Sequence, residues 1–133
     1  MNIAENPIKI IPIRASSLSD LFDCPARWEA KNLLNKRMPA GARTRLGTAI
    51  HEAVTQWDHM HLIGESVSTE ECAEILHQQI WQPNEEVDWA DIDQNSAESI
   101  GHALVNKYIT QIAPTQKFIG VEVRCESLIL ADL

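Results

Sequence analysis

Between Arg45 and Trp57 the chain reads Arg-Leu-Gly-Thr-Ala-Ile-His-Glu-Ala-Val-Thr-Gln-Trp. Leu46, Ile50, Ala53, Val54 and Trp57 recur at spacings of three and four, which makes one apolar stripe along an α-helix. His51 falls about 100° round from Ile50, at the border of that stripe. Gly47 and Thr48 lie one turn earlier, and small side chains there leave room beside the imidazole. The rest of the chain is organised around this helix, and His51 is its candidate metal ligand.

The flanking sequence has a readable order. Residues 1–14 hold Ile3, Ile8, Ile10, Ile11 and Ile13, interrupted by Pro7 and Pro12, and read as an extended arm. Ser16 or Ser17 caps a short helix with Leu18, Leu21 and Phe22 facing inward. A second helix runs from Pro25 to Leu34, with proline suited to its first position. Asn35–Thr44 is a loop, and the His51 helix then continues to Leu62–Gly64. Ser68 and Glu71 have capping-box spacing and start a fourth helix with Ala73, Leu76, Ile80 and Cys72 on the core side. Gln82–Asp93 is acidic and irregular. A fifth helix starts at Asn95 or Ser96, with Ile100, Leu104, Tyr108 and Ile112 on one line. After Pro114 the period changes to two: Ile119, Val121, Val123 and Cys125 alternate with Gly120, Glu122, Arg124 and Glu126, the pattern of a half-buried strand.

Composition narrows the function classes. The 133 residues suffice for one core, and 44% hydrophobic with 23% charged residues is ordinary for a soluble globular protein. No apolar run approaches the roughly 18 residues that would span a bilayer. The N-terminus lacks a signal peptide's basic start and apolar centre, so the cytoplasm is the expected compartment. Cys24, Cys72 and Cys125 form no CxxC pair, which gives no basis for a zinc knuckle or a disulfide framework. The net charge of −8 works against phosphate binding, but the charge is polarised. Arg27, Lys31, Lys36, Arg37, Arg43 and Arg45 cluster in one segment and are the candidate DNA-binding residues. Glu65–Glu98 holds ten acidic residues and no Lys or Arg.

Three stretches together resemble the opening of a RecB-type nuclease domain of the PD-(D/E)XK superfamily. They are Ala15–Trp28 with its Ser-x-Leu and Cys24-Pro25-x-x-Trp28, Leu46–Glu52 with Gly47-x-x-x-His51, and Val121-Glu122-Val123. The resemblance implies metal-dependent hydrolysis of DNA phosphodiesters, with Mg²⁺ or Mn²⁺ in the complete protein. A bound cation neutralises phosphate oxygens and eases formation of the attacking hydroxide. His51 carries over as a metal ligand. Glu122 matches a glutamate often found on the first core strand, as a catalytic carboxylate, a support to the ligands or a solvent-facing residue. Cys24 matches the first cysteine of relatives that hold an iron–sulfur cluster. Those relatives need three more cysteines after the sheet, so a packed thiol is the expectation. A helicase or another subunit is a possible partner.

The implied fold is mostly α with a C-terminal strand or hairpin: the helical part of a restriction-endonuclease-like α/β fold whose sheet is incomplete. Its parts are an arm (1–14), a helical region (15–113) and the first strand or strands of the catalytic core (117–133). The family's Asp and Asp/Glu-x-Lys motifs do not follow Glu122 within these residues. The expectation is therefore a polypeptide that does not cut DNA or hold metal tightly alone, and whose terminal strand allows self-association. The competing reading is a non-catalytic helical binding or regulatory module using the acidic face.

Overall fold

The computed structural model describes residues 11–124 and is mostly helical. The chain divides into two compact units, Met1–Met38 and Pro39–Leu133.

In the first unit a 3₁₀ turn (Ala15–Ser17) leads into α1 (Leu18–Asp23) and, across Cys24, α2 (Pro25–Asn32). Cys24 has the extended backbone expected of a residue before proline. Trp28 is the one buried residue among those described here, and its indole N–H donates to Ser17 Oγ at 3.3 Å. Of the inward face expected of α1 only Leu21 is half-buried, while Leu18 and Phe22 are exposed. A helix of six residues is too short to build a stripe, and the indole of α2 takes the enclosed place instead.

The second unit carries the core. Helix α3 (Ala42–Leu62) packs against α4 (Thr69–Trp81) and α5 (Gln94–Lys107), and α4 packs against α5. The α3 stripe points inward as the periodicity requires: Leu46 and Ala53 are buried, with Ile50, Val54 and Trp57 packed against them. The box at Ser68 is complete. Ser68 Oγ accepts from the Glu71 N–H at 3.1 Å and Glu71 Oε2 from the Ser68 N–H at 2.7 Å, so two free helix donors are satisfied. Cys72, Leu76 and Ile80 of α4 are fully enclosed. Asp93 caps α5 by accepting from the Ser96 N–H at 2.9 Å.

Along α5 and the turn that follows it, the buried line is Ala97, Gly101, Val105 and Ile109, while Ile100, Leu104 and Ile112 stand exposed. The reason is spacing. A Cβ added at Gly101 would lie 2.8 Å from Leu76 Cδ2 and 3.3 Å from Leu46 Cδ1, so only small residues fit where the three helices meet. A π turn at Tyr108–Ile112 and a 3₁₀ turn at Ala113–Thr115 close this helix, where Pro114 offers no N–H to continue it. Two short strands, β1 (Ala40–Gly41) and β2 (Val87–Asp88), pair in parallel. They join the start of α3 to the acidic stretch after α4.

The expected strand is absent from the described part of the C-terminal segment. Residues 117–124 are not in strand conformation: Ile119 and Val123 are exposed, and Glu122 has a left-handed φ of 50° that extended backbone excludes. Period-two alternation predicts a strand only within a sheet, and the described sheet consists of β1 and β2 paired with each other. The expectations for residues 1–10 and 125–133, including the hairpin, most of the arm and Cys125, lie outside the described residues.

Candidate metal and nucleic-acid site

Helix α3 presents His51 outward. Its imidazole is 60% exposed, and Nε2 lies 3.1 Å from Oε1 of Glu122, itself 62% exposed. The two candidates singled out in the sequence are therefore brought together across 71 positions, from helix and tail. The space one turn back is open as well, since a Cβ at Gly47 would meet nothing within 4 Å. Left-handed backbone costs a residue with a side chain about 1–3 kcal/mol. At Glu122 that conformation accompanies a carboxylate set against the imidazole.

The tail that carries Glu122 runs back along α3. Gln116 and Phe118 line a groove with Trp57 and His61 near the helix's C-terminal end, and Glu122 reaches His51 nearer its middle. A hydrogen-bonded hub stands beside this groove. The Tyr108 hydroxyl donates to Asp58 Oδ2 at 2.7 Å and lies 3.4 Å from Gln116 Oε1. Asp58 is buried, and its Oδ1 has no hydrogen-bond partner. Burial first, then the Asp58 hydrogen bond and charge, push the Tyr108 hydroxyl far above its ordinary range. The sequence reading missed this hub. The available signal was an aspartate four residues beyond Val54, on the buried side of α3.

The basic residues divide between the two units. Arg27, Lys31, Lys36 and Arg37 are exposed in the first unit, where Arg27 makes only a 3.8 Å contact with Asp20. Arg43, in the second unit, is exposed and paired with Asp91. Arg45 corrects the expectation outright. Its side chain is 3% exposed, Nε donates to the Gln79 carbonyl at 2.8 Å, and the terminal nitrogens reach Gln79 Oε1, Asn84 Oδ1 and Glu85 Oε1. A buried guanidinium shared among four acceptors ties the start of α3 to the end of α4 and the loop after it, out of reach of a phosphate in solvent.

The acidic stretch is similarly engaged. Glu71 and Asp93 cap helices, Glu85 and Asp91 pair with arginines, and Asp88 accepts from the Ala90 N–H. Glu98 accepts from Trp81 Nε1 at 2.8 Å and contacts His77 Nδ1 at 2.7 Å and His102 Nε2 at 3.4 Å. The Trp81 hydrogen bond, followed by that of His77, holds the Glu98 carboxyl below its usual range. An acidic face committed to internal contacts is a weaker docking surface than its composition suggests. Cys24 is a half-buried free thiol and Cys72 a buried one; burial pushes the Cys72 thiol up, and the charges of Glu71 and Asp58 add to it.

A helical scaffold that sets an imidazole and a carboxylate on one exposed patch defines a class of chain able to contribute ligands to a hydrolytic cation. The family comparison places it more narrowly. The model of the PD-(D/E)XK nuclease superfamily matches residues 13–130, and the chain belongs to that superfamily. Its members are metal-dependent nucleases that act on DNA and generally use Mg²⁺ or Mn²⁺. Neither the comparison with curated proteins nor that with solved structures yields a match. Among the described residues no helix is long and apolar enough to cross a membrane.

Proposed function

We propose that the chain is the helical portion of a RecB-type, exonuclease-like DNA nuclease, in which His51 and Glu122 hold a divalent cation. The observation that carries this reading is the 3.1 Å approach of His51 Nε2 to Glu122 Oε1 on an exposed face of α3. Two adjacent ligands of an octahedral cation, each about 2.1 Å from it, stand roughly 3.0 Å apart, so the pair fits with little movement. The donor types also fit. A carboxylate suits a hard cation and a neutral imidazole favours Mn²⁺ somewhat over Mg²⁺.

Among the described residues no group of three or more His, Cys, Asp or Glu side chains is arranged to hold a metal. A two-donor foothold is compatible with magnesium-type chemistry, in which few protein ligands act together with water and substrate phosphates. A cation bound there supplies Lewis-acid stabilisation of the charge that develops on the phosphodiester.

The chain's own residues have separate tasks. His51 offers Nε2 in its neutral form, because a protonated ring has no lone pair to give. Glu122 counters the cation's charge and keeps the imidazole in place. The Asp58–Tyr108–Gln116 hub ties the tail to α3, so helix and tail keep their register while DNA binds. Arg27, Lys31, Lys36 and Arg37 supply exposed positive charge for phosphates, with a helicase or another subunit as a possible partner.

The test is the Mg²⁺- or Mn²⁺-dependent digestion of linear DNA by the full protein. His51→Ala should lower the rate by at least ~100-fold, at the upper end of losses caused by disturbing a metal site, while the circular-dichroism spectrum stays unchanged. A folded His51→Ala protein that digests DNA at the wild-type rate would refute the assignment.

A further inference from the structure

The groove beside the Asp58–Tyr108 hub has a lining that the metal site does not use. Trp57, His61, Ile109, Ala113, Pro114, Gln116 and Phe118 enclose about 370 Å³. Trp57 and His61 stack with centroids 4.4 Å apart and an interplanar angle of 27°. The imidazole is fixed by His61 Nδ1, which donates to the Trp57 carbonyl at 2.9 Å and sets the ring's orientation. Phe118 adds a third ring from the tail, and Gln116 contributes an amide with both donor and acceptor ends.

Among the described residues no lysine or arginine lines the groove, so its lining suits a ring more than a phosphate. Flat rings with one two-sided amide suit a flat aromatic ligand that carries hydrogen-bonding edges. Within a chain that handles DNA, the ligand of that description is a nucleobase. Stacking requires the base to be out of a duplex, because a paired base has no free face.

Position supports the same occupant. Trp57 lies six residues beyond His51 on one continuous helix, about 9 Å along its axis. At roughly 3.4 Å per stacked nucleotide that is within three steps of the cation-binding pair. The same tail also lines the groove through Phe118 and meets His51 through Glu122.

We propose that the Trp57–His61–Phe118 groove is a base-binding subsite that captures an unpaired nucleobase of the DNA strand whose phosphodiester lies at His51 and Glu122. This rests on the DNA-nuclease reading above. The subsite makes the enzyme prefer strands with free bases, and it holds the strand by its base where the cation site holds it by its phosphate.

The experiment measures binding of two fluorescent single-stranded probes of equal length, an oligothymidylate and its fully abasic counterpart, by anisotropy without activating metal. The wild-type protein should bind the oligothymidylate more tightly, roughly 5- to 100-fold, as stacking one base on aromatic side chains gives. His61→Ala and Phe118→Ala should remove most of that preference and leave abasic affinity unchanged, and His61→Phe should retain it. Should either alanine variant fail to fold, the wild-type preference and the His61→Phe protein still decide. Equal affinity of the wild-type protein for both probes would overturn the subsite and leave the DNA reading standing. Failure to bind either probe would overturn both.

Discussion

Replacing Tyr108 with phenylalanine tests the internal hub with little change of shape. The ring stays, so the core keeps its volume and no cavity is opened. What is lost is a 2.7 Å hydrogen bond to Asp58 Oδ2, in a carboxylate whose Oδ1 already has no partner. Asp58 is only 8% exposed, so water replaces the hydroxyl poorly. A hydrogen bond to a charged group is worth about 1.5–3 kcal/mol, and the loss should fall near 2 kcal/mol. That is a large share of the roughly 5–15 kcal/mol that keeps a domain folded. Urea unfolding should show a lower midpoint with an unchanged slope. A loss below about 0.5 kcal/mol would mean that the buried carboxylate is satisfied in another way.

The same residue gives a pH signature. The native state holds the Tyr108 proton more tightly than the unfolded chain does. Its stabilisation is complete below the ordinary tyrosine range near ~10 and is lost as pH rises beyond it. Tyr108 is the only tyrosine in the sequence, so the ultraviolet absorbance of phenolate reports on it alone. Native protein should show no phenolate at the pH where urea-unfolded protein is half ionised. Coincident titrations in the two states would refute the burial and hydrogen bonding described.

Two further substitutions separate structural charges from functional ones. Glu98 has its carboxyl held below the ordinary 4.5, so its stabilisation is present above that value and disappears as pH falls through the lowered one. Glu98→Gln should therefore flatten the acid side of the stability profile, as followed by thermal melting between neutral pH and the acid limb. Arg45→Ala should destabilise by about 2–4 kcal/mol, because it strips a buried cation from several acceptors, without changing the salt dependence of DNA binding. Alanine at Lys31, Lys36 and Arg37 should do the reverse, flattening the slope of affinity against salt at nearly constant melting temperature.

Legibility in the sequence tracked how local each determinant is. Helices α3 and α4 could be read because stripe and cap lie within one element, from Leu46 to Trp57 and from Ser68 to Glu71. The buried line of α5 could not. Large apolar residues marked Ile100 and Leu104, but the packing partners Leu76 and Leu46 admit only Gly101 between them. Charge alone likewise misassigned Arg45, whose role depends on the end of α4 and the loop after it, 34–40 residues away. Alternation at 119–125 suggested a strand, yet a strand depends on a neighbour that no local pattern supplies. Glu122 was picked out only by family resemblance, and His51 by its place on the helix together with that resemblance. Nothing in their spacing shows that helix and tail meet.

The central claim is that His51 and Glu122 jointly hold the cation. Pulsed electron spin resonance of Mn²⁺ added to the full protein reads this directly through the coupling of the metal to a nitrogen nucleus. The wild-type protein should show an imidazole nitrogen signal that vanishes in His51→Ala, and Glu122→Gln should weaken Mn²⁺ binding by roughly 10- to 100-fold, the usual effect of disturbing a metal site. An identical nitrogen signal in His51→Ala, or Mn²⁺ affinity indifferent to Glu122→Gln, would contradict it.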